Sequence, residues 1–181
     1  MKKLMIVAAV AMAAVSVNAA QYVWKTSSSG GKVYEAGSTT AKFSGEAYIF
    51  GDYSKVETIF AALAQGDDIS TLGAKDSNAV SEGAISSKPI ETGSFSYDGN
   101  FSGFIAIVDG DNFYIGPEST ASDPGVGTGT INVKATASSQ AAAKMASDGY
   151  KGAGWYTVPE PTSGLLLLLG VAGLALKRRR A

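Results

Sequence analysis

FSGFIAIVDGDNFYIGPES, residues 101–119, contains the strongest hairpin signal in the chain. From Phe101 to Val108 the residues are apolar at both odd and even positions. A strand with one wet face alternates, so this run predicts a central strand covered on both sides. Asp109-Gly110-Asp111 supplies a turn, and Asn112 to Ile115 returns as the partner strand of a hairpin.

On either side of this hairpin, KVYEAG (32–37), AKFSGEAYIFGD (41–52) and GTINVKA (129–135) also read as strands. Phe43, Ala47 and Ile49 share one face of the second, with Lys42, Ser44 and Glu46 on the other. Ile131 and Val133 share a face of the third. One segment changes period: in GDYSKVETIFAALAQGDD, Val56, Ile59, Phe60 and Leu63 fall at helical spacing. Ser54 and Glu57 have the spacing of a capping box, and Gly66 stands where a glycine ends a helix. A helix from about Lys55 to Gln65 is expected, packed across the sheet or over an open end. SSQAAAKMASDG (138–149) reads as a weaker helical turn, capped by Ser138 or Ser139 and stopped at Gly149; GPESTASDPGVGTGT (116–130) reads as loop.

These elements predict a mainly β chain with a single β-sandwich-like domain of immunoglobulin or fibronectin type III character and one inserted amphipathic helix. A partly open barrel or a jelly roll fits the same strand spacing.

The ends are of different composition. MKKLMIVAAVAMAAVSVNAAQ begins with Lys2 and Lys3, continues through an apolar run from Leu4 to Val15, and reaches small residues at Val17-Asn18-Ala19. That is the pattern of a secretory signal peptide cleaved between Ala19 and Ala20. The other end runs Pro159-Glu160-Pro161, then an apolar stretch from Leu165 to Leu176, then Lys177, Arg178, Arg179 and Arg180. Twelve residues of helix reach about 18 Å, short of a hydrocarbon core about 30 Å thick. The reading is therefore a signal peptide over 1–19, an exported β-rich domain over 20–157 and a sorting segment over 158–181, the latter containing a short transmembrane helix.

Charge follows the same division. Of 15 basic residues, Lys2, Lys3, Lys177 and Arg178 to Arg180 take six, leaving nine lysines in the middle against all 16 acidic residues, a net of −7. Basic residues beside apolar segments stay on the cytoplasmic side, which places the acidic middle outside. An acidic exported domain is a poor match for phosphates, so nucleic acid is not expected as a partner. The chain has no cysteine and no histidine. Disulfides and thiolate metal sites are excluded, as is any Ser-His-Asp arrangement. No catalytic residues, metal ligands or cofactor-binding residues are assigned, and a non-catalytic protein is expected.

Several local patterns resemble chemistry. DGDN (109–112) begins like a calcium loop, but Phe113, Tyr114 and Thr120 stand where an oxygen, a glycine and a glutamate are required. SSSGGK (27–32) has the Ser-x-x-Lys spacing without its companion motifs, and lacks the phosphate-loop frame. Asp67-Asp68 and Asp109-Asp111 are candidate carboxylate pairs for a glycosidase. Tyr22, Trp24, Tyr97, Tyr114, Trp155 and Tyr156 are candidate sugar-stacking residues if exposed.

The order Pro159-Glu160-Pro161, apolar run, basic cluster resembles the PEP-CTERM sorting signal of Gram-negative bacteria. The resemblance covers about the last 24 residues. It implies recognition by an exosortase-type processing enzyme, cutting near the Pro-Glu-Pro, with transient membrane attachment through the apolar segment. It further implies a cell-envelope or extracellular-matrix destination associated with exopolysaccharide and biofilm. A carbohydrate-binding or adhesion module and a permanently tail-anchored surface protein are the alternatives. Two prolines lack amide hydrogens and keep 159–161 out of a following helix, open to an enzyme.

Overall fold

Phe101–Asp109 occupies the middle of a three-layer molecule, which explains why both of its faces are apolar. The computed structural model of the chain describes residues 21–26, 31–86, 88–90, 99–125, 128–135 and 143–158. In chain order the elements are β1 (Gln21–Thr26), β2 (Gly45–Phe50), α1 (Val56–Ala64), β3 (Asp76–Ser81), β4 (Ala84–Ile85) and β5 (Lys88–Ile90). They continue with β6 (Phe101–Asp109), β7 (Asn112–Ile115), β8 (Ser119–Ala121), β9 (Thr128–Val133), β10 (Lys144–Met145) and β11 (Gly154–Thr157).

The large sheet has the order β10-β11-β7-β6-β2-β3-β4, with β8 pairing the first three residues of β6. Its neighbours are antiparallel except β10 and β11, which run parallel. The small sheet has the order β5-β1-β9, in which β1 is antiparallel to β5 and parallel to β9.

Ile105 and Ile107 of β6 face the small sheet and pack with Tyr22, Trp24, Ile131, Val133 and Trp155. Phe104 and Ala106 face the other way, into a second core with Val56, Ile59, Phe60 and Leu63 of α1. A helix crossing the sheet thus buries the face that a plain sandwich leaves to water. Ile105, Ala106 and Ile107 are all fully buried. The two sheets are joined at their edges by hydroxyls. The Thr26 hydroxyl accepts from the Ile85 amide at 3.0 Å, and the buried Ser119 hydroxyl accepts from the Lys134 amide at 3.2 Å. The molecule is mainly β and consistent with a β-sandwich.

The helix is entered one step earlier than its sequence signal indicates. Asp52, rather than the Ser54/Glu57 box, caps the entry: its Oδ1 accepts from the Ser54 amide at 3.0 Å and the Ser54 hydroxyl at 2.7 Å. A 3-10 turn over Tyr53–Lys55 intervenes before α1 begins, and Lys55 offers it no side-chain cap. Ser54 does not cap the helix because it lies inside this 3-10 turn, one residue before the N-cap position that Lys55 occupies. The exit agrees with expectation. Gly66 has φ +85°, its amide donates to Leu63 O, and the Asp67 amide donates to Ala62 O, the paired bonds of a Schellman ending.

Three other expectations are corrected. KVYEAG forms no strand: Tyr34 makes a lone bridge to Lys42, and the chain turns at Ala36-Gly37. Within 138–149, Lys144–Met145 is a strand followed by a single 3-10 turn, Ala146–Asp148, ending at Gly149. The loop over 116–130 contains β8. The expected terminal helices, within 1–19 and 165–176, lie outside the described residues. No helix among the described residues is long and apolar enough to cross a membrane.

Candidate functional site: the exit strand and the start of the tail

The last strand, β11, is tied into both cores. Trp155 is fully buried against Phe43 and Tyr114, and its indole Nε1 donates to Tyr34 O at 2.9 Å. Tyr156 points to the opposite face and meets Phe60 edge-on, with ring centroids 4.8 Å apart. Its hydroxyl donates to Gly152 O at 2.5 Å and accepts from the Lys151 amide at 2.8 Å. Burial pushes this phenol above its usual pKa, opposed by the Lys151 amide. Neighbouring Tyr150 is also raised, first by burial and then by its contact with the Tyr53 hydroxyl.

Lys144 holds the loop that leads into β11. Its Nζ donates to three consecutive carbonyls, Lys151 O at 3.0 Å, Gly152 O at 3.3 Å and Ala153 O at 3.3 Å. It also lies 5.2 Å from the centre of the Tyr156 ring. Burial lowers the pKa of this ammonium. The cation serves here as an internal tie for a turn whose carbonyls converge.

The ladder does not stop at Thr157. The Thr157 hydroxyl donates to Asn112 Oδ1 at 2.7 Å, and the Val158 amide donates to Asp111 O at 2.9 Å. The β6–β7 hairpin therefore grips the chain through Val158, one residue before Pro159. Pro159, which follows in the sequence, has no amide hydrogen to donate. Asp109, Gly110, Asp111 and Asn112, the residues of the calcium-like DGDN, form this turn; Asp109 pairs with Asn112. Asn112 is engaged by Thr157 rather than aimed at a cation.

The other candidates have structural roles or lie elsewhere. Asp68 accepts from the Ser70 amide at 2.9 Å and its hydroxyl at 2.8 Å, which holds its carboxyl below 3.8 and uses it as a turn cap rather than as half of a catalytic pair with Asp67. Tyr22, Trp24, Tyr114, Trp155 and Tyr156 are all buried, so none of them offers a sugar-stacking face; Tyr97 lies outside the described residues. A shallow depression of 380 Å³ is lined by Tyr48, Ser70, Ala74, Asp76 and Ser77. Asp76 is its one carboxylate, and that group accepts from the Trp24 indole at 2.9 Å. Among the described residues no group of three or more acidic side chains is placed to hold a metal. Ser27 to Gly30 of SSSGGK, Ala19, Ala20, Pro159, Glu160, Pro161 and Lys177 to Arg180 lie outside the described residues.

The family model of the PEP-CTERM protein-sorting motif matches residues 157–180. The chain carries this sorting motif. The PEP-CTERM match begins at Thr157, so its first two residues are the last two held by the folded domain. The motif implies export and sorting to the cell surface in bacteria, with processing by an exosortase. No curated protein and no solved structure matches the chain.

Sequence reading finds the motif but misses its clamp. Nothing local in NFYI marks Asn112 as the partner of Thr157, 45 residues away. Only the pairing of β7 with β11 brings them together, and strand pairing at that separation leaves no pattern in either segment.

Proposed function

We propose that the chain is a non-catalytic exported protein, delivered by an exosortase-type enzyme to the cell envelope or surrounding matrix of a Gram-negative bacterium and cut near Pro159-Glu160-Pro161. The observation that carries this reading is the junction: Val158 is bonded to Asp111 and Pro159 follows it directly, so a cut near Pro159-Glu160-Pro161 lies just outside the bonded strand. Cleavage between Ala19 and Ala20 at the other end would leave β1, starting at Gln21, intact. Association with exopolysaccharide is part of this reading and rests on the resemblance of the tail. The immunoglobulin or fibronectin type III character belongs to it too, supported by two sheets sharing one aromatic core.

The test is the intact mass of the protein recovered from cells with and without the processing enzyme. A chain starting at Ala20 and ending near Pro159 to Thr162, seen only when the enzyme is present, is the expected result. A chain from Ala20 to Ala181 in both strains would mean a permanent tail anchor and would remove the exosortase from the account.

A further inference from the structure

A cut near Pro159-Glu160-Pro161 places Thr157 and Val158 just upstream of the bond that breaks. An enzyme that cuts a peptide holds the residues beside that bond in extended form, through the same backbone amides and carbonyls that a sheet uses. Both residues are already engaged by the folded domain, and both belong to the segment 157–180 that the sorting motif matches. Domain and enzyme therefore compete for the same two residues.

Thr157 stands between Asn112 of β7 and Met145 of β10, and its hydroxyl donates to Asn112 Oδ1 at 2.7 Å. The Val158 amide donates to Asp111 O at 2.9 Å, and its half-buried side chain packs against the core that α1 covers. One residue upstream the hold is far firmer. Tyr156 is fully buried, stacks on Phe113 with centroids 5.5 Å apart, and has its hydroxyl bonded to Gly152 O and to the Lys151 amide. β10, which flanks Thr157 on the outer side, is only two residues long. Frayed ends open at much lower cost than core segments. Thr157 and Val158 can thus peel away from β7 while the Tyr156 ring, locked in the core, stops the peel.

We propose that Thr157 and Val158 must leave the domain before the processing enzyme can engage the tail, so that Asn112 and Asp111, residues outside the motif, govern the rate of processing. The inference rests on the sorting reading of the tail. It adds that the form the enzyme acts on is the domain with its last rung open. Asn112 is a positioning residue in this account, acting through its hold on Thr157. The two released residues add about 7 Å of extended chain, which carries the cut away from the surface of the domain.

The test is to lock the rung. Because Val158 donates to Asp111, the neighbouring pair Thr157 and Asn112 is of the non-hydrogen-bonded kind, with Cα atoms about 4.5 Å apart. A disulfide spans that separation. The chain has no cysteine of its own, so Asn112→Cys/Thr157→Cys makes a single cross-link in the oxidising space outside the cytoplasm. Thr157→Cys alone is the control, with the same change in the motif and no partner on β7. Full-length chains are followed by pulse-chase in cells that hold the enzyme, reading conversion to the shorter mass. The cross-linked chain is expected to stay unprocessed while the control is converted. Conversion of the cross-linked chain at the control rate would overturn the proposal. Asn112→Ala approaches the rung from the other side and leaves the motif untouched. Loss of one ordinary hydrogen bond is expected to raise its conversion about fivefold, and conversion at or below the parental rate would overturn the proposal too. Urea midpoints by tryptophan fluorescence show whether each variant is folded. Failure of the unmodified chain to be processed would instead sink the sorting reading itself.

Discussion

Gly103 and Gly110 lie seven residues apart in one hairpin, and replacing each by alanine separates two reasons for a glycine. A glycine within a strand normally costs about 0.5–1 kcal/mol relative to alanine, so Gly103→Ala would stabilise β6 if space allowed. Space does not allow it. A Cβ at position 103 would run into the backbone oxygen of Phe50 and would lie 2.5 Å from Cζ of the Phe101 ring. The carbonyl belongs to a paired strand and has no rotamer to change, so relief requires β2 and β6 to part. Overpacking of a core costs about 1–3 kcal/mol, and an obstacle of backbone places this site at the upper end. The net expectation is a loss of at least about 2 kcal/mol after the alanine gain is subtracted. Gly110 has the opposite profile. Its φ is +58° and nothing lies within 4 Å of the added Cβ, so only the left-handed backbone term applies, about 1–2 kcal/mol. Urea unfolding monitored by Trp24 and Trp155 fluorescence is the assay, since both indoles are buried. Gly103→Ala should lower the midpoint by about 1 M or more, and Gly110→Ala by less. A Gly103→Ala protein as stable as the parent would show that β2 and β6 are not in close backbone contact at this point, and the steric account would fall.

Three further perturbations test other joints. Lys144→Met keeps the stem but removes the cation that binds three carbonyls, and should cost about 2 kcal/mol in chemical denaturation; an unchanged midpoint would show that water replaces the ammonium without loss. Asp52 and Asp68 have carboxyls held below 3.8 by hydrogen bonds from Ser54 and Ser70. A lowered carboxyl pKa stabilises the fold above 3.8 and loses that contribution as pH falls through the folded value. The Asp52→Asn/Asp68→Asn protein should therefore show a shallower fall in thermal midpoint below pH 3.8 than the parent, and parallel curves would refute the assignment. Glu82 carries φ +49° in the two-residue turn between β3 and β4, followed by Gly83 at φ +75°. Asparagine suits that first position far better, so Glu82→Asn should raise stability by about 0.5–1 kcal/mol, read as a higher urea midpoint.

The elements legible in the sequence are those whose signals are local. The β6–β7 hairpin, the helix between Val56 and Leu63, and the Gly66 stop each have their signal within a dozen residues. The elements that sequence reading misses depend on partners far along the chain. β8 exists because Ser119–Ala121 finds Phe101–Gly103, and KVYEAG stays out of the sheets because Val33 is bonded to Gly83 and Phe43 instead. Ser54 reads as a cap because hydroxyl and glutamate stand at the right spacing, yet Asp52 two residues earlier caps a 3-10 turn that takes Ser54 in and moves the helix start to Val56. At the candidate site, the motif is readable as an ordered series of residue types, while the grip of Asp111 and Asn112 on Val158 and Thr157 is not.

The fold and the sorting signal are joined without a spacer. Here the ladder bond to Val158 and the start of the motif at Thr157 overlap. A cut within Gly154–Thr157 would break the pairing of β11 with β7 and the strand that holds Trp155 and Tyr156 in the two cores. In the folded domain the backbone of Gly154 to Val158 is committed to β7 and to Asp111. Proline at 159 has no amide hydrogen to add to such a ladder.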